Sequence, residues 1–327
     1  MRPESDGAVL SNLDGDAVVT LTPNPALDIW TTTQAFRRGP KLRCSRPDLF
    51  PGGGGINVSR VVKRLGGRTV AVHASGGRVG EDLAEALERE ELQSGRTRLS
   101  GVTREVFNVC EEDTGDVMRF VTPGPVLDED EADDLLRVLG EHLSGAAIVV
   151  GSGSLPEGIG EGFWGQVAKT CRDSGVPFFL DSHDGAEAAL SEGVFVFRET
   201  NDAVGKLAGQ EVSWPEEAAD WAAERVRAGE AQAVVVTQGA EGALLVTEDL
   251  RLVQSPPQGI EGKSAIGAGD SFMGGFTMAL SQGETWEAAL RQAVATAAAT
   301  LLTPGTELCR KEDVERLLKE CPEVREL

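Results

Sequence analysis

The chain has 327 residues, of which 40% are hydrophobic, and it carries a formal net charge of −22. This length suffices for one large α/β domain or for two smaller domains. The strong acidity argues against binding to nucleic acid or to an anionic membrane, because either surface would need a basic patch on the protein.

The cysteines point to a reducing compartment. They are odd in number and none has C-x-x-C spacing, so free thiols are expected rather than disulfides or a zinc site. The first residues lack the apolar stretch of a signal peptide, and no run reaches the ~18 apolar residues of a membrane span. The sequence therefore predicts a soluble cytoplasmic protein.

The N-terminal part begins with a polar, aperiodic segment. Residues 1–16 are expected to form a flexible tail, and residues 17–21 the first strand. Pro23 and Pro25 interrupt regular structure, which leaves Asp28 near a strand end, where ligands bind in open α/β sheets. Asp28 is predicted either as a ligand contact there or as an ordinary turn residue.

Lys41 and Arg43 are two residues apart in a stretch that reads as a short exposed strand. Side chains at this spacing share one face of a strand, and two cations on one face can bind a phosphate. Alternatively, the two charges only protect an exposed strand edge from aggregation.

Four consecutive glycines, residues 52–55, precede Ile56 and Asn57 and a helix with apolar positions at Val58, Val61 and Val62. Glycine backbone gives a polar ligand a close surface, and the Asn57 amide can bond ligand hydroxyls. The spacing matches neither a P-loop nor a dinucleotide fingerprint.

Residues 104–110 and 117–121 read as two strands of a hairpin. Arg104 begins the first strand, as a phosphate ligand or as an exposed edge charge. The acidic run Asp128–Glu131 has capping-box spacing and is assigned to a helix start rather than to a metal site.

From residue 146 the chain alternates strands with helices. This alternation predicts a doubly wound, mostly parallel α/β sheet with helices on both faces, and crossovers that gather the loops on one edge. The strand-rich segments near residues 29–50 and 104–121 are predicted to form a small β-sheet lid on a single domain, residues 17–327.

The stretch from Gly262 to Phe276 combines small residues with an acid. Gly267, Ala268 and Gly269 precede Asp270 at the start of a predicted helix. Free N–H groups at a helix start bind anions, and a neighbouring carboxylate can take a proton from a hydroxyl. The pattern indicates phosphoryl transfer to an alcohol; the alternative is that Asp270 only caps the helix.

Several stretches together resemble the PfkB (ribokinase-like) carbohydrate kinases, in particular the phosphofructokinase type 2 and tagatose-6-phosphate kinase branch. These stretches are residues 22–28, 41–44, 51–57, 119–121, 151–156, 267–270 and 304–309, within a match of about residues 17–321. The resemblance implies a ribokinase-like fold whose β-sheet lid forms a homodimer contact.

The resemblance also implies roles for individual residues. It implies that Asp270 is the catalytic base. The implied anion hole consists of Gly267, Ala268 and Gly269. The implied contacts to sugar hydroxyls are Asp28, Gly53 and Asn57. The implied cations near the sugar phosphate are Lys41, Arg43 and Arg104. The implied nucleotide site contains Arg198, Thr237, Gly239 and Gly242.

One motif departs from the family. Its Lys-Pro-Asn-x-x-Glu, which organises Mg²⁺ around the nucleotide phosphates, is replaced by residues 198–203, so that Thr200 stands for the Asn and Ala203 for the Glu. Arg198 can keep the Lys charge, and the lost acid can be replaced by Asp181, Glu199 or Asp202. Asp181 is taken as the candidate metal ligand.

The sequence thus predicts a Mg²⁺- and ATP-dependent kinase that phosphorylates the 1-hydroxyl of fructose 6-phosphate. Tagatose 6-phosphate and fructose 1-phosphate stay open as acceptors. The competing hypothesis, favoured by the changed motif, is a non-catalytic sugar-phosphate sensor on the same scaffold.

Overall fold

The computed structural model describes residues 9–10, 15–260 and 262–327. Most of the predicted tail, residues 1–16, lies outside these residues. In chain order the strands are β1 (Ala17–Thr22), β2 (Ala26–Thr33), β3 (Asp48–Gly52), β4 (Arg68–Gly76), β5 (Gln93–Leu99), β6 (Arg104–Glu111), β7 (Val117–Val121), β8 (Ala146–Ser152), β9 (Phe178–Asp181), β10 (Val194–Thr200), β11 (Ala231–Thr237), β12 (Ala243–Val246), β13 (Arg251–Gln254) and β14 (Arg325–Glu326). The α-helices are α1 (Gly54–Leu65), α2 (Gly77–Arg89), α3 (Glu129–Gly140), α4 (Phe163–Asp173), α5 (Ala186–Glu192), α6 (Asn201–Ala208), α7 (Glu216–Arg227), α8 (Ala268–Ser281), α9 (Trp286–Leu301) and α10 (Lys311–Glu320).

A ten-stranded sheet forms the body of the protein, in the order β14-β13-β12-β11-β10-β9-β8-β1-β4-β5. The strands from β5 to β11 in this order are parallel, and β12, β13 and β14 add an antiparallel edge. The strand order reverses between β1 and β8. A reversal of this kind opens a crevice at the carboxyl ends of the two strands.

Alternating side chains of the central strands cover both faces of this sheet. Val19 and Leu21 pack in one cluster with residues of α3 and α4, whereas Val18 and Ile148 pack in another with residues of α1, α8 and α9. Strands buried on both faces need near-continuous apolar sequence, and β8 and β11 have it. The predicted doubly wound sheet with helices on both faces is confirmed.

A separate four-stranded sheet, in the order β3-β2-β6-β7, forms the predicted lid. Strand β2 pairs in parallel with β6 and antiparallel with β3, and β6 with β7 form the expected hairpin. The lid begins earlier than predicted, so Asp28 lies inside β2 rather than beside the end of a strand. The irregular segment after β1 ends at Pro25, and strand β2 begins with the next residue, Ala26.

The predicted strand at residues 41–44 is wrong. This segment contributes only one isolated bridge, between Thr33 and Cys44, and the strand that returns to the lid is β3. Residues 37–43 contain Gly39, Pro40 and four cations and are exposed. They have no apolar side to bury against a neighbouring strand, which leaves them as a loop.

Three other elements differ from the prediction. Helix α1 begins at Gly54, so two of the four glycines lie in its first turn. A Cβ on Gly54 would lie 2.2 Å from the Ser152 hydroxyl, so the helix start packs directly on the end of β8. The edge strand β5 was not predicted, because its polar residues hide the alternation typical of a strand. The helix α5 was not predicted, because its seven residues are too few to show a helical periodicity.

The capping box predicted at the start of α3 is confirmed. Asp128 and Glu131 form the capping box: the Asp128 side chain accepts from the Glu131 N–H at 2.9 Å, and the Glu131 carboxylate accepts from the Asp128 N–H at 3.3 Å. The five cysteines are free thiols. Among the described residues, no helix is long and apolar enough to cross a membrane.

Candidate active site

Asp270 lies in the first turn of α8, at the crevice between β1 and β8. The helix is capped by the backbone of Gly267, at φ 76°, with no side-chain cap. The Asp270 carboxylate instead accepts a hydrogen bond from the Asn57 amide of α1, Nδ2 to Oδ2 at 2.8 Å. Asp270 is therefore not the helix cap, and its side chain is directed at another element.

The surroundings of Asp270 make it a weaker acid than a free aspartate. Burial raises its pKa to about 6, and the Asp181 and Asp28 carboxylates act in the same direction. The Asn57 amide and the Arg198 guanidinium oppose this increase. A carboxylate that ionises just below neutral pH is suited to accept a proton from a hydroxyl at neutral pH.

Arg198 supplies a fixed positive charge beneath the start of α8. Its guanidinium is ion-paired with Asp181 at 2.9 Å and donates to the Thr237 hydroxyl at 2.7 Å. A Cβ on Gly269 would lie 3.2 Å from both terminal nitrogens, so the small residue allows the close approach of guanidinium and helix. Free N–H groups, the helix dipole and Arg198 all favour negative charge at this point, so the structure is compatible with the anion site predicted at Gly267, Ala268 and Gly269, which stays a prediction.

Asp28 lies on the lid side of the same crevice and is buried. A Cβ on Gly52 would lie 2.6 Å from the Asp28 carboxylate carbon, so glycine makes room for it. Burial raises the pKa of Asp28 to about 6, against the influence of Arg119, Arg60 and Arg104. The Arg104 guanidinium donates to the Asn24 carbonyl at 2.9 Å, which fixes this cation beside Asp28.

Lys41 and Arg43 are not brought to this group within one chain. Both are exposed, and the Arg43 carbonyl accepts from the Thr33 hydroxyl at the far end of β2. Thr33 lies five residues along β2 from Asp28, or roughly 17 Å at the rise of an extended strand. Arg104 is thus the predicted phosphate cation that the fold places beside Asp28.

At the glycines predicted to contact the sugar or the nucleotide, backbone conformation and close packing favour glycine over other residues. Gly53 precedes α1 at φ 114°, where a Cβ would lie 2.7 Å from the Thr22 methyl group. Gly242, at φ 99°, would place a Cβ 2.0 Å from the Gln254 carbonyl oxygen. Gly239 begins the short turn after Thr237. Their contacts to a sugar or a nucleotide stay predictions.

The changed motif has a defined local structure. Thr200 caps α6, since its hydroxyl accepts from the Ala203 N–H at 3.3 Å. The carboxylate of the preceding Glu199 is buried, accepts from the Thr200 N–H at 2.9 Å and lies 3.2 Å from His183 Nδ1. Glu199 and Asp181 line the same cavity of about 220 Å³.

This cavity fits a magnesium ion that is bound mainly by phosphates. Within the described ranges no three His, Cys, Asp or Glu side chains are grouped to hold a metal by themselves. Mg²⁺ at a nucleotide keeps several waters and needs only one or two carboxylates. Asp181 and Glu199 could supply them from the lining of this cavity, and their role as metal ligands stays a prediction. Asp202 is exposed and lines a different cavity of about 650 Å³, with Lys206, Trp214 and Gln238.

Sequence reasoning missed Arg60. This residue of α1 is fully buried and donates to the Asn57 carbonyl oxygen at 3.1 Å. Arg60 follows Asn57 by three residues, so both side chains lie on one side of α1. A charged residue among the apolar positions of a helix indicates that its side chain has a buried polar partner. Arg119 of β7 lowers the pKa of Asp28, and the sequence indicated this residue only through the resemblance to the family.

Comparison with known proteins identifies the family of the chain. A family model described as pfkB family carbohydrate kinase matches residues 24–313. The chain is 38% identical over 312 residues to an ATP-dependent 6-phosphofructokinase isozyme 2 from Mycobacterium tuberculosis, covering 95% of this chain and 91% of the relative. It is 30% identical over 309 residues to a 1-phosphofructokinase from Bacillus subtilis, covering 94% and 98%. A crystal structure of the phosphofructokinase-2 from Escherichia coli in complex with fructose-6-phosphate has a TM-score of 0.85 and 33% identity, over 93% of this chain and 98% of that one.

The raised pKa of Asp270 predicts a pH-dependent gain in stability for Asp270→Asn. The carboxylate is ionised above about pH 6 in the folded state but already above 3.8 when unfolded, so wild type loses stability as the pH rises through this window. At pH 8 the variant should be more stable by about 1–3 kcal/mol, and the gain should vanish near pH 4. Denaturant unfolding of wild type and variant at pH 8 and at pH 4 measures this difference in the free energy of unfolding, with the exposed Asp202→Asn as control. A variant no more stable than wild type at pH 8 would contradict the buried charge.

Proposed function

The chain belongs to the pfkB family of carbohydrate kinases, and we propose that it transfers the γ-phosphoryl group of ATP to the 1-hydroxyl of fructose 6-phosphate. The observation that carries this proposal is the Asp270 carboxylate, held by Asn57 at the N-terminus of α8 and above Arg198. A base and an anion site at one point are what phosphoryl transfer to an alcohol requires.

In the proposed reaction Asp270 accepts the proton of the attacking hydroxyl. The N–H groups at Gly267, Ala268 and Gly269, with Arg198 beneath them, stabilise charge on the transferring phosphoryl group. Asp28 and Asn57 orient the sugar through its hydroxyls, with Gly53 between them. Because phosphoryl transfer needs little covalent chemistry from the protein, positioning and electrostatics account for most of the rate.

We place the nucleotide along the ends of β10 and β11, near Arg198, Thr237, Gly239 and Gly242. When bound, Mg²⁺ neutralises charge on the β- and γ-phosphates. Asp181 and Glu199 would hold it through bound waters, because their carboxylates line one cavity beside the anion site. Glu199 would thereby replace the acid that Ala203 lacks.

The choice of acceptor rests on the cation beside Asp28. Arg104 gives the sugar site a fixed positive charge, which suits a phosphorylated sugar better than a free one. The Escherichia coli structure with fructose 6-phosphate favours that sugar, and the Bacillus subtilis relative keeps fructose 1-phosphate open. Tagatose 6-phosphate differs from fructose 6-phosphate only in configuration. We propose a cytoplasmic location with these substrates, since they are intermediates of sugar metabolism inside the cell.

The competing sensor hypothesis rests on the changed motif alone. A protein that only binds a sugar phosphate has no need for a base with a pKa near 6, nor for an arginine beneath the anion site. Glu199 also provides a replacement for the lost acid. These features favour a working kinase.

We further propose that the lid forms a homodimer. Its outer strands expose Leu49, Met118, Phe120 and Val121, each at least 39% accessible, and a contact with a second lid would cover them. Lys41 and Arg43 lie at the far end of the same sheet from their own Asp28. In a dimer they can reach the sugar phosphate in the partner subunit.

Asp270→Asn should reduce turnover of fructose 6-phosphate by about 10²–10⁴-fold, the usual cost of losing a general base. Sugar binding should stay near wild type, since the amide still accepts from Asn57. Steady-state kinetics and a sugar-binding titration measure the two effects, with Asp202→Asn as control. Half of the wild-type rate in Asp270→Asn would remove this residue from the mechanism.

Mixed dimers should show which phosphate cation acts within its own chain and which acts in the site of the partner subunit. Lys41→Ala and Arg104→Ala should each raise KM for fructose 6-phosphate by about 10-fold or more, because each loses a charge-assisted contact. Co-expression with Asp270→Asn subunits should restore a low KM to Lys41→Ala, whose site receives Lys41 from the partner. It should not rescue Arg104→Ala, since Arg104 acts in its own chain. Equal behaviour of the two mixtures would contradict the dimer contact.

The changed motif predicts an unusual dependence on Mg²⁺. Glu199→Gln should need about 10–100-fold more free Mg²⁺ for half-maximal turnover, as expected for a lost partner of a bound metal. Thr200→Asn with Ala203→Glu should need less than wild type, and asparagine keeps the cap of α6. Turnover is measured against free Mg²⁺ at saturating ATP, with Asp202→Asn as control. Superimposable curves for Glu199→Gln and wild type would exclude Glu199 from the magnesium site.

A further inference from the structure

A buried chain of polar side chains leads from the surface of α2 to Asp270. Glu90 follows the end of α2 and is bound by Arg60, with Nε 3.0 and 2.8 Å from the two carboxylate oxygens and Nη2 2.7 Å from Oε1. Arg60 Nη1 donates to the Asn57 carbonyl oxygen, and Asn57 Nδ2 donates to Asp270. Three successive contacts thus join Glu90, at the end of α2, through two residues of α1 to Asp270 of α8.

Arg60 is fully buried, which is costly for a charge unless it is paired. Glu90 neutralises it, the Pro51 carbonyl accepts from Nη1 at 3.2 Å, and the Phe50 ring lies 5.7 Å from the guanidinium carbon. These contacts fix the plane of the guanidinium. The side chain therefore presents Nη1 to Asn57 in one defined direction.

The chemistry of the groups then decides how the Asn57 amide is oriented. A guanidinium only donates and an ionised carboxylate only accepts, so the amide must turn its oxygen to Arg60 and its nitrogen to Asp270. The reversed amide would place donor against donor and acceptor against acceptor. Without Arg60, only Asp270 would constrain Asn57.

We propose that Arg60, held by Glu90, is a positioning residue that fixes the Asn57 amide so that its N–H is always directed at the Asp270 carboxylate. This inference rests on the proposed function, in which Asp270 is the base. Arg60 acts through Asn57 and touches neither the sugar nor the nucleotide.

The orientation of the Asn57 amide affects the ionisation of Asp270 in this proposal. Four neighbours face this carboxyl group: Asp181 from β9, Arg198 from β10, Asp28 from β2 and Asn57 from α1. The Asn57 bond lowers its pKa, so a mobile amide should let the pKa rise and leave less ionised base near neutral pH. Arg60 also lowers the pKa of Asp28, and a variant that keeps its charge controls for that effect.

The test compares Arg60→Met, which loses charge and donors, with Arg60→Lys, which keeps the charge and an ammonium donor. The carboxyl ¹³C resonance of Asp270, identified by its loss in Asp270→Asn, is titrated with pH in each folded variant. Arg60→Met should raise the pKa of Asp270 by about one unit, the order of one charge-assisted hydrogen bond, and Arg60→Lys by less than half of that. The acid limb of the kcat–pH profile should move by the same amount.

Arg64→Met is the matched control. Arg64 lies on the same helix and 3.9 Å from Glu90, but its guanidinium donates to the carbonyls of Glu307 and Cys309 rather than to Asn57. It should leave the titration of Asp270 unchanged. If Arg60→Met does not fold, Glu90→Gln, which releases the guanidinium without removing it, should raise the pKa in the same direction by a smaller amount.

The outcomes separate this inference from the proposed function. An unchanged Asp270 titration in folded Arg60→Met, or an equal shift in Arg64→Met, would overturn the role of Arg60 even if Asp270→Asn is inactive. A shifted titration with an unmoved kcat–pH profile would support the positioning of Asn57 and contradict Asp270 as the base.

Discussion

The hydrogen bond between Asn57 and Asp270 joins two parts of the chain that are 213 residues apart in sequence. It connects the first turns of α1 and α8 above the point where the strand order of the sheet reverses. Both helices depend on glycine backbone at their starts, Gly53 for α1 and Gly267 for α8, to approach this point. A larger residue would be crowded at either start, because a Cβ on Gly53 would lie 2.7 Å from the Thr22 methyl group and a Cβ on Gly267 would lie 2.5 Å from a Leu308 methyl group.

Charge balance is the second constraint on this site. The protein as a whole is strongly acidic, yet its crevice pairs buried carboxylates with arginines, as in Asp181 with Arg198 at 2.9 Å. Asp28 and Asp270 lack such a direct ion pair, and burial raises the pKa of each to about 6. Burial without a direct ion pair therefore makes Asp28 and Asp270 weaker acids, and carboxyl groups with raised pKa values are suited to take part in proton transfer.

The motif that departs from the family pattern has a local structure that can be described residue by residue. Thr200 has become a helix cap, and Ala203 has no polar group to offer. The position before them holds Glu199, whose side chain turns into the cavity shared with Asp181. An acid four positions before Ala203 thus lies at the carboxyl end of β10, where parallel strands bring their functional groups together. That it takes the place of the family's Glu stays a proposal.

Much of this protein follows from its sequence alone. The strand–helix alternation determined the doubly wound sheet, since fully apolar runs such as β8 and β11 must be covered on both faces. The glycines before Asp270 predicted an anion site, because small residues let a ligand approach the free N–H groups of a helix start. Only the tertiary structure decided which partners these residues meet. It placed Arg104 beside Asp28 and left Arg43 at the far end of the lid. It also brought Glu199, and not Asp202, to the cavity that Asp181 lines, and it connected Asp270 through Asn57 to the buried Arg60. Hydrophobic periodicity records which face of an element is buried, but a contact between side chains distant in sequence depends on how the elements cross.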